Sequence, residues 1–132
     1  MNFEMILAAN ARLSGKKRIT PLLNSPFIDE LVGRPTYLKA ECLQHSGSFK
    51  FRGAFSAISA LKNDERRKGI IAYSSGNHAQ AVAYAAMKRN IPAYIVMPRN
   101  APKVKIQAVE GYNAKITLCE PTLKARRETL EK

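Results

Sequence analysis

Gly69-Ile70-Ile71-Ala72-Tyr73-Ser74-Ser75-Gly76-Asn77-His78-Ala79-Gln80-Ala81-Val82-Ala83-Tyr84-Ala85-Ala86 passes from an apolar run, through a polar loop, into an alanine-rich segment. The run at 70–73 follows a glycine and is short and continuous, the pattern of a buried strand. In the segment 79–89, Ala81, Ala83, Ala85 and Ala86 permit close backbone packing on a helix. Ala93-Tyr94-Ile95-Val96-Met97 then repeats the strand pattern. Strand, helix and strand joined by short loops make a βαβ unit, and such units imply a parallel sheet with right-handed crossovers.

The alternation continues toward the C-terminus. A proline-flanked loop leads to a predicted helix over 102–110 that Gly111 ends. A third strand spans 115–118, and Thr122 starts a last helix. Toward the N-terminus, Asn2 caps a helix whose Phe3, Ile6, Leu7 and Leu13 recur at helical spacing, with Gly15 as the stop. Thr20-Pro21 marks extended chain. Ser25-Pro26 opens a short helix that Gly33 closes. Residues 37–42 read as a strand, and Ser48 as the cap of a helix with Phe51, Phe55, Ile58 and Leu61 on one stripe. The fold class is α/β, without internal repeats or low-complexity segments.

A chain of 132 residues that is 45% hydrophobic can bury the core of one ordinary domain. Its formal charge of +12 raises the question of nucleic acid. The cations are spread along the chain, with clusters at Lys16-Lys17-Arg18, Arg66-Arg67-Lys68 and Arg126-Arg127 that fall at predicted helix ends and loops. No basic arm, interleaved aromatic platform or zinc spacing accompanies them, so the reading is a solvated surface with no nucleic-acid partner. Cys42 and Cys119 stand far apart and read as reduced thiols with no metal site. The first residues lack a basic region before a long apolar run. No signal peptide, no membrane segment and a cytoplasmic location are therefore expected.

Two places carry chemistry. Lys50 falls in the first turn behind Ser48, at the positive end of a helix dipole, where a cation is disfavoured. That setting suits a lysine acting as an amine nucleophile and proton carrier, and it also fits a surface lysine reaching into water. The loop from Ser74 to His78 leaves the carboxyl end of a strand, where open α/β sheets bind ligands. Its backbone N–H groups, serine hydroxyls and Asn77 amide can hold a carboxylate; an ordinary capped loop has the same composition. No Walker-type or dinucleotide glycine fingerprint is present.

Four stretches taken in order resemble the serine racemase and serine/threonine dehydratase family of fold-type II pyridoxal-phosphate enzymes. They are Thr20-Pro21-Leu22, Gly47-Ser48-Phe49-Lys50-Phe51-Arg52-Gly53-Ala54, Ser74-Ser75-Gly76-Asn77-His78-Ala79-Gln80-Ala81 and Ile91-Pro92-Ala93-Tyr94-Ile95-Val96-Met97-Pro98. The resemblance spans about residues 20 to 120. It implies that Lys50 carries pyridoxal 5'-phosphate as an internal aldimine, that Phe49 packs by the cofactor ring, and that Asn77 hydrogen-bonds its phenolic oxygen. Ser74, Gly76, Asn77 and His78 would line the site of the substrate carboxylate. The implied reaction is dehydration or racemisation of a β-hydroxy amino acid such as serine, threonine or hydroxyaspartate. Ser75 stands where racemases of the family carry a second acid/base. Asn113 replaces a usual glycine and tolerates a left-handed backbone.

The resemblance also sets the organisation. Residues 1–66 would be the leading part of the large domain, and 67–132 the small α/β domain, incomplete. The family's glycine-rich phosphate loop, the group facing the pyridine nitrogen and its metal site lie beyond what this sequence contains, so it reads as truncated and inactive by itself. Family members are commonly homodimers, and the substrate is a small amino acid. A reading of a different class is a non-catalytic remnant that binds something else through its charge, such as an acidic partner or nucleic acid.

Overall fold

The computed structural model describes residues 2–131. It begins with helix α1 (Phe3–Arg12), whose N-cap Asn2 accepts a hydrogen bond from the Met5 N–H at 3.0 Å. A strand β1 (Leu22–Asn24), helix α2 (Pro26–Val32) and strand β2 (Tyr37–Lys39) follow. The two strands form an antiparallel ribbon with Leu23 opposite Leu38. The strand expected over 37–42 therefore stops at Lys39. The chain turns at Ala40 into two tight 3₁₀ turns (Glu41–Leu43 and His45–Gly47) that lead to α3 (Lys50–Ala60). Strand β1 was not anticipated; its segment reads only as extended chain next to Pro21.

After α3, the short helix α4 (Asn63–Lys68), also unanticipated, places Asp64 and Glu65 in its first turn and Arg66, Arg67 and Lys68 in its last. Both ends complement the helix dipole. Then comes the alternating part: β3 (Ile70–Tyr73), α5 (Asn77–Lys88), β4 (Ala93–Pro98), α6 (Lys103–Gly111), β5 (Lys115–Cys119) and α7 (Leu123–Leu130). The three strands are parallel in the order β3-β4-β5, with Ala72 beside Ile95 and Ile95 beside Ile116. Thr122 caps α7 by accepting from the Ala125 N–H at 3.0 Å. Asn113 has a positive φ of 59°, the left-handed geometry expected of it. Gly69 is required for a different reason: at φ +88°, an added Cβ would lie 2.9 Å from the Pro92 carbonyl oxygen.

The core gathers between α3, α5 and one face of the sheet. Phe51, Phe55 and Ile58 supply α3's buried stripe, and Ala79, Ala81, Ala83, Ala85 and Ala86 of α5 are fully buried against it and against Ile95 and Met97. Val96, of opposite parity on β4, is buried away from that cluster, on the side where α7 crosses the strands. Strand β3 is only half covered: Ile70 and Ala72 pack against the core, whereas Ile71 and Tyr73 project from the opposite, less covered face of the sheet and remain exposed. The expectation of a fully buried strand fails there. His45 stacks on Tyr84, with its Nδ1 3.2 Å from the Tyr84 hydroxyl. With Phe51 edge-on to both rings, this cluster ties the 3₁₀ turn to both helices.

Not every apolar face is covered. Phe3, Ile6 and Leu7 of α1, Leu22 and Leu23 of β1, Phe27 and Leu31 of α2 and Tyr37 and Leu38 of β2 are all exposed. Among the described residues, no helix is long and apolar enough to cross a membrane.

One partly buried ion pair fixes the segment leading to α3. The Arg52 guanidinium donates from Nε to Glu41 Oε2 and from a terminal nitrogen to Oε1, both at 2.7 Å, and Thr20 Oγ1 donates to Oε1 at 2.6 Å. The Arg52 hydrogen bonds, reinforced by that of Thr20 and opposed by burial, lower the Glu41 pKa from the ordinary 4.5 to about 2. A carboxyl group whose pKa falls on folding stabilises the fold above its ordinary pKa, and that stabilisation is lost as pH drops through the folded value. Glu41→Gln is expected to cost about 2 kcal/mol of unfolding free energy at neutral pH. That difference should fade between pH 4.5 and about 2, as read by urea unfolding across that range.

Candidate active site

Lys50 is the first residue of α3, and its position follows from how the helix starts. Ser48 was expected to cap α3. Instead Phe49 holds the N-cap position, Ser48 lies extended one residue earlier, and the Ser48 Oγ is buried without a hydrogen-bond partner. The Phe51 and Arg52 N–H groups are taken by the Ser48 and Phe49 carbonyls at 3.4 and 3.1 Å. This tight first turn leaves the N-terminal end of α3 free of side-chain caps. The Lys50 ammonium lies 4.8 Å from the centre of the exposed Phe49 ring, within cation–π range.

Phe49, Lys50 and His78 line one cleft of about 330 Å³, together with Arg52, Gly53 and Ala54. Ser74, Ser75, Gly76 and Asn77 do not line it; the first three form the loop that leads into α5, which carries Asn77 and His78. That loop begins at the carboxyl end of β3, where the Ser74 N–H still bonds to the Val96 carbonyl at 3.1 Å. The Ser74 hydroxyl accepts from the Gly76 N–H at 3.2 Å, which folds the loop back on itself. The next residue, Asn77, opens α5. No side chain caps α5 at Gly76, so the N–H groups of its first turn lack intrahelical partners and its positive dipole end faces outward uncapped. An uncapped N-terminus of a 12-residue helix beside a lysine amine favours an anion with a reactive carbonyl neighbour.

Two groups enter the electrostatics of this site. Desolvation, and after it the nearby Lys50 ammonium, holds the His78 pKa below the ordinary 6.5, so its imidazole is neutral at physiological pH. Neutral, it offers one N–H donor and one acceptor. The second is a residue the sequence reading passed over. Lys105, in the first turn of α6, donates from Nζ to Asn77 Oδ1 at 2.7 Å. The available signal was its position: helical spacing from Pro102 puts a cation where the dipole disfavours it. Arg52, the other cation on the cleft, is committed to Glu41.

The donor set suits pyridoxal phosphate: an amine for an aldehyde, an aromatic side chain beside it, and a cleft of ring size at a helix N-terminus. A family model described as "Pyridoxal-phosphate dependent enzyme" matches residues 13–132. The chain belongs to this family of α/β enzymes, whose cofactor is pyridoxal phosphate. It is 45% identical over 127 residues to a serine racemase from Oryza sativa subsp. indica, a match covering 96% of this chain and 38% of that protein. It is 43% identical over 130 residues to a beta-hydroxyaspartate dehydratase from Paracoccus denitrificans (strain Pd 1222), covering 98% of this chain and 41% of the relative. Among solved structures, that of maize serine racemase superposes with a TM-score of 0.94 at 41% identity, over 98% of this chain and 40% of that one. The chain thus spans about two fifths of the length of the relatives it matches.

The Lys50–His78 proximity makes a direct prediction. Lys50→Met removes the ammonium and should raise the His78 pKa toward 6.5. His45, whose lowered pKa comes from burial and then Arg18 and Lys88, should not move. Following both imidazole resonances by NMR from pH 5 to 8 checks it; an unmoved His78 means the two side chains do not share the cleft.

Proposed function

We propose that this chain supplies the cofactor lysine and the substrate-carboxylate loop of a pyridoxal-phosphate enzyme that dehydrates or racemises a small β-hydroxy amino acid. The observation that carries the reading is the single cleft holding Lys50 and His78 beside the uncapped N-terminus of α5. Relatives named as a serine racemase and a beta-hydroxyaspartate dehydratase point to β-hydroxy amino acids as the substrate class. When bound, pyridoxal phosphate supplies an aldehyde for covalent attachment and a ring that accepts electrons from the substrate Cα.

The chain's own residues have separate tasks. Lys50 provides the amine for attachment and, once released, moves a proton at its Nζ. The exposed Phe49 ring covers one side of the cleft against water. Asn77 donates to an oxygen on the cofactor ring. Ser74, Gly76, Asn77 and His78, through first-turn N–H groups and side chains, hold the substrate carboxylate, and the helix dipole favours its charge. The neutral His78 adds a donor without drawing the carboxylate away as a competing cation would. The Ser75 hydroxyl lies on the same loop and exchanges a proton from the second face, which racemisation needs and elimination does not.

The organisation belongs to the same proposal: residues 1–66 as the leading part of a large domain, 67–132 as most of a small one. The exposed apolar faces of α1, β1, β2 and α2 fit a large-domain segment awaiting its remaining layers, within a cytoplasmic homodimer.

Two measurements test this reading. Titration of the chain with pyridoxal phosphate should give a visible absorbance band that Lys50→Ala removes; equal bands in both proteins would overturn the assignment of Lys50. In the protein carrying the rest of the domain, Ser75→Ala should reduce racemisation of L-serine at least about a hundredfold while elimination stays within about threefold. Chiral chromatography with ammonia release reads both, and equal losses would contradict a face-specific role.

A further inference from the structure

We infer that Lys105 is a positioning residue: its ammonium locks the Asn77 side-chain amide in the one orientation that turns N–H donors toward the cofactor. The inference deepens the functional reading above and rests on it for the identity of the ligand. It starts from the contact between α6 and the first residue of α5, Lys105 Nζ to Asn77 Oδ1 at 2.7 Å.

The chemistry of the pair allows one arrangement only. An ammonium has three donors and no acceptor, so it cannot bond to the amide nitrogen of Asn77 and must take the oxygen. With Oδ1 held on the α6 side, Nδ2 and its two N–H groups are turned away from Lys105. An asparagine at the start of a helix without such a partner is free to flip its amide and present oxygen or nitrogen with little preference. For a ligand oxygen that carries negative charge, like that on the ring of pyridoxal phosphate, one orientation donates a hydrogen bond and the other sets two acceptors against each other. Lys105 removes the wrong orientation in advance, so less of the binding energy is spent on ordering the amide.

The placement of Lys105 supports a dedicated role. It sits in the first turn of α6, where the helix dipole disfavours a cation, with its own N–H bonded to the Pro102 carbonyl at 2.9 Å. The bond is solvent-exposed, but α6 packs along α5, so the reach from Lys105 to Asn77 crosses a formed helix–helix contact. The bond is also charge-assisted, which makes it stronger than one between two neutral groups.

The test combines a reading of the unliganded chain with one of cofactor binding. In a nitrogen-15-labelled sample without cofactor, Lys105→Met should shift the side-chain amide resonances of Asn77, leave those of the other asparagines in place, and preserve the helical circular dichroism. Lys105→Arg, also a pure donor, should restore them. With pyridoxal phosphate, Lys105→Met should weaken the visible-band affinity about three- to tenfold, with Lys105→Arg close to the unaltered chain. In an Asn77→Ala background, Lys105→Met should cost nothing further, because it acts only through Asn77. Unmoved Asn77 resonances, or losses that simply multiply in the double variant, would overturn the inference. A shifted Asn77 amide in a chain that gives no cofactor band would instead defeat the cofactor reading and leave the Lys105–Asn77 pairing standing.

Discussion

The contact between α3 and α5 sets everything that matters in this molecule. Five fully buried alanines along α5 leave no side-chain bulk to hold the helices apart, and Phe51, Phe55 and Ile58 of α3 fill the space that remains. Because both helices begin at the same cleft, that packing alone brings Lys50 and His78 together. The two side chains are therefore held by the packed helices that carry them, which is how a site keeps its geometry without spending binding energy on order. The stacked His45 and Tyr84 rings, with Phe51 edge-on, secure the start of α3 in the same way.

Charge is arranged around this frame with one sign dominant. Lys50 and Lys105 face the start of α5, and His78 is kept neutral in part by Lys50. The cation that would otherwise crowd the cleft, Arg52, is neutralised by Glu41. The result is a region suited to a negatively charged ligand and short of carboxylates that would repel it. The Glu41–Arg52–Thr20 network also joins the chain ahead of β1 to the turn before α3 and to α3 itself, so one ion pair serves both stability and the shape of the site.

The βαβ part was legible in the sequence because its signals are local. The apolar runs at 70–73 and 93–97, the alanine-rich segment between them and the turn residues each reported on their own neighbourhood, and the parallel order of β3, β4 and β5 followed. What escaped depended on partners distant in sequence. Strand β1, three residues long, exists by pairing with β2 across α2, and β2 ends at Lys39 where that pairing ends. The Ser48 hydroxyl looked like a cap by type, but the chain enters α3 through a tight turn that moves the cap position to Phe49. The exposure of Ile71 and Tyr73 depends on which face of the sheet is covered, and the place of His45 on Tyr84, which no local pattern encodes. In the site, Lys50 and the Ser74–His78 loop stood out by residue type at helix starts. Lys105 did not, because its role lies in a contact between two helices separated by a strand.

The central claim is that the fold, and not amine chemistry in general, directs an aldehyde to one lysine. The most direct measurement is to incubate the folded chain with limiting pyridoxal phosphate, reduce with borohydride, and map the modified lysines by peptide mass spectrometry before and after urea unfolding. The account predicts that in the folded chain the label concentrates on Lys50 over equally exposed lysines such as Lys62, Lys68 and Lys103, and that unfolding abolishes this preference. Label spread evenly over the lysines of the folded chain would contradict it.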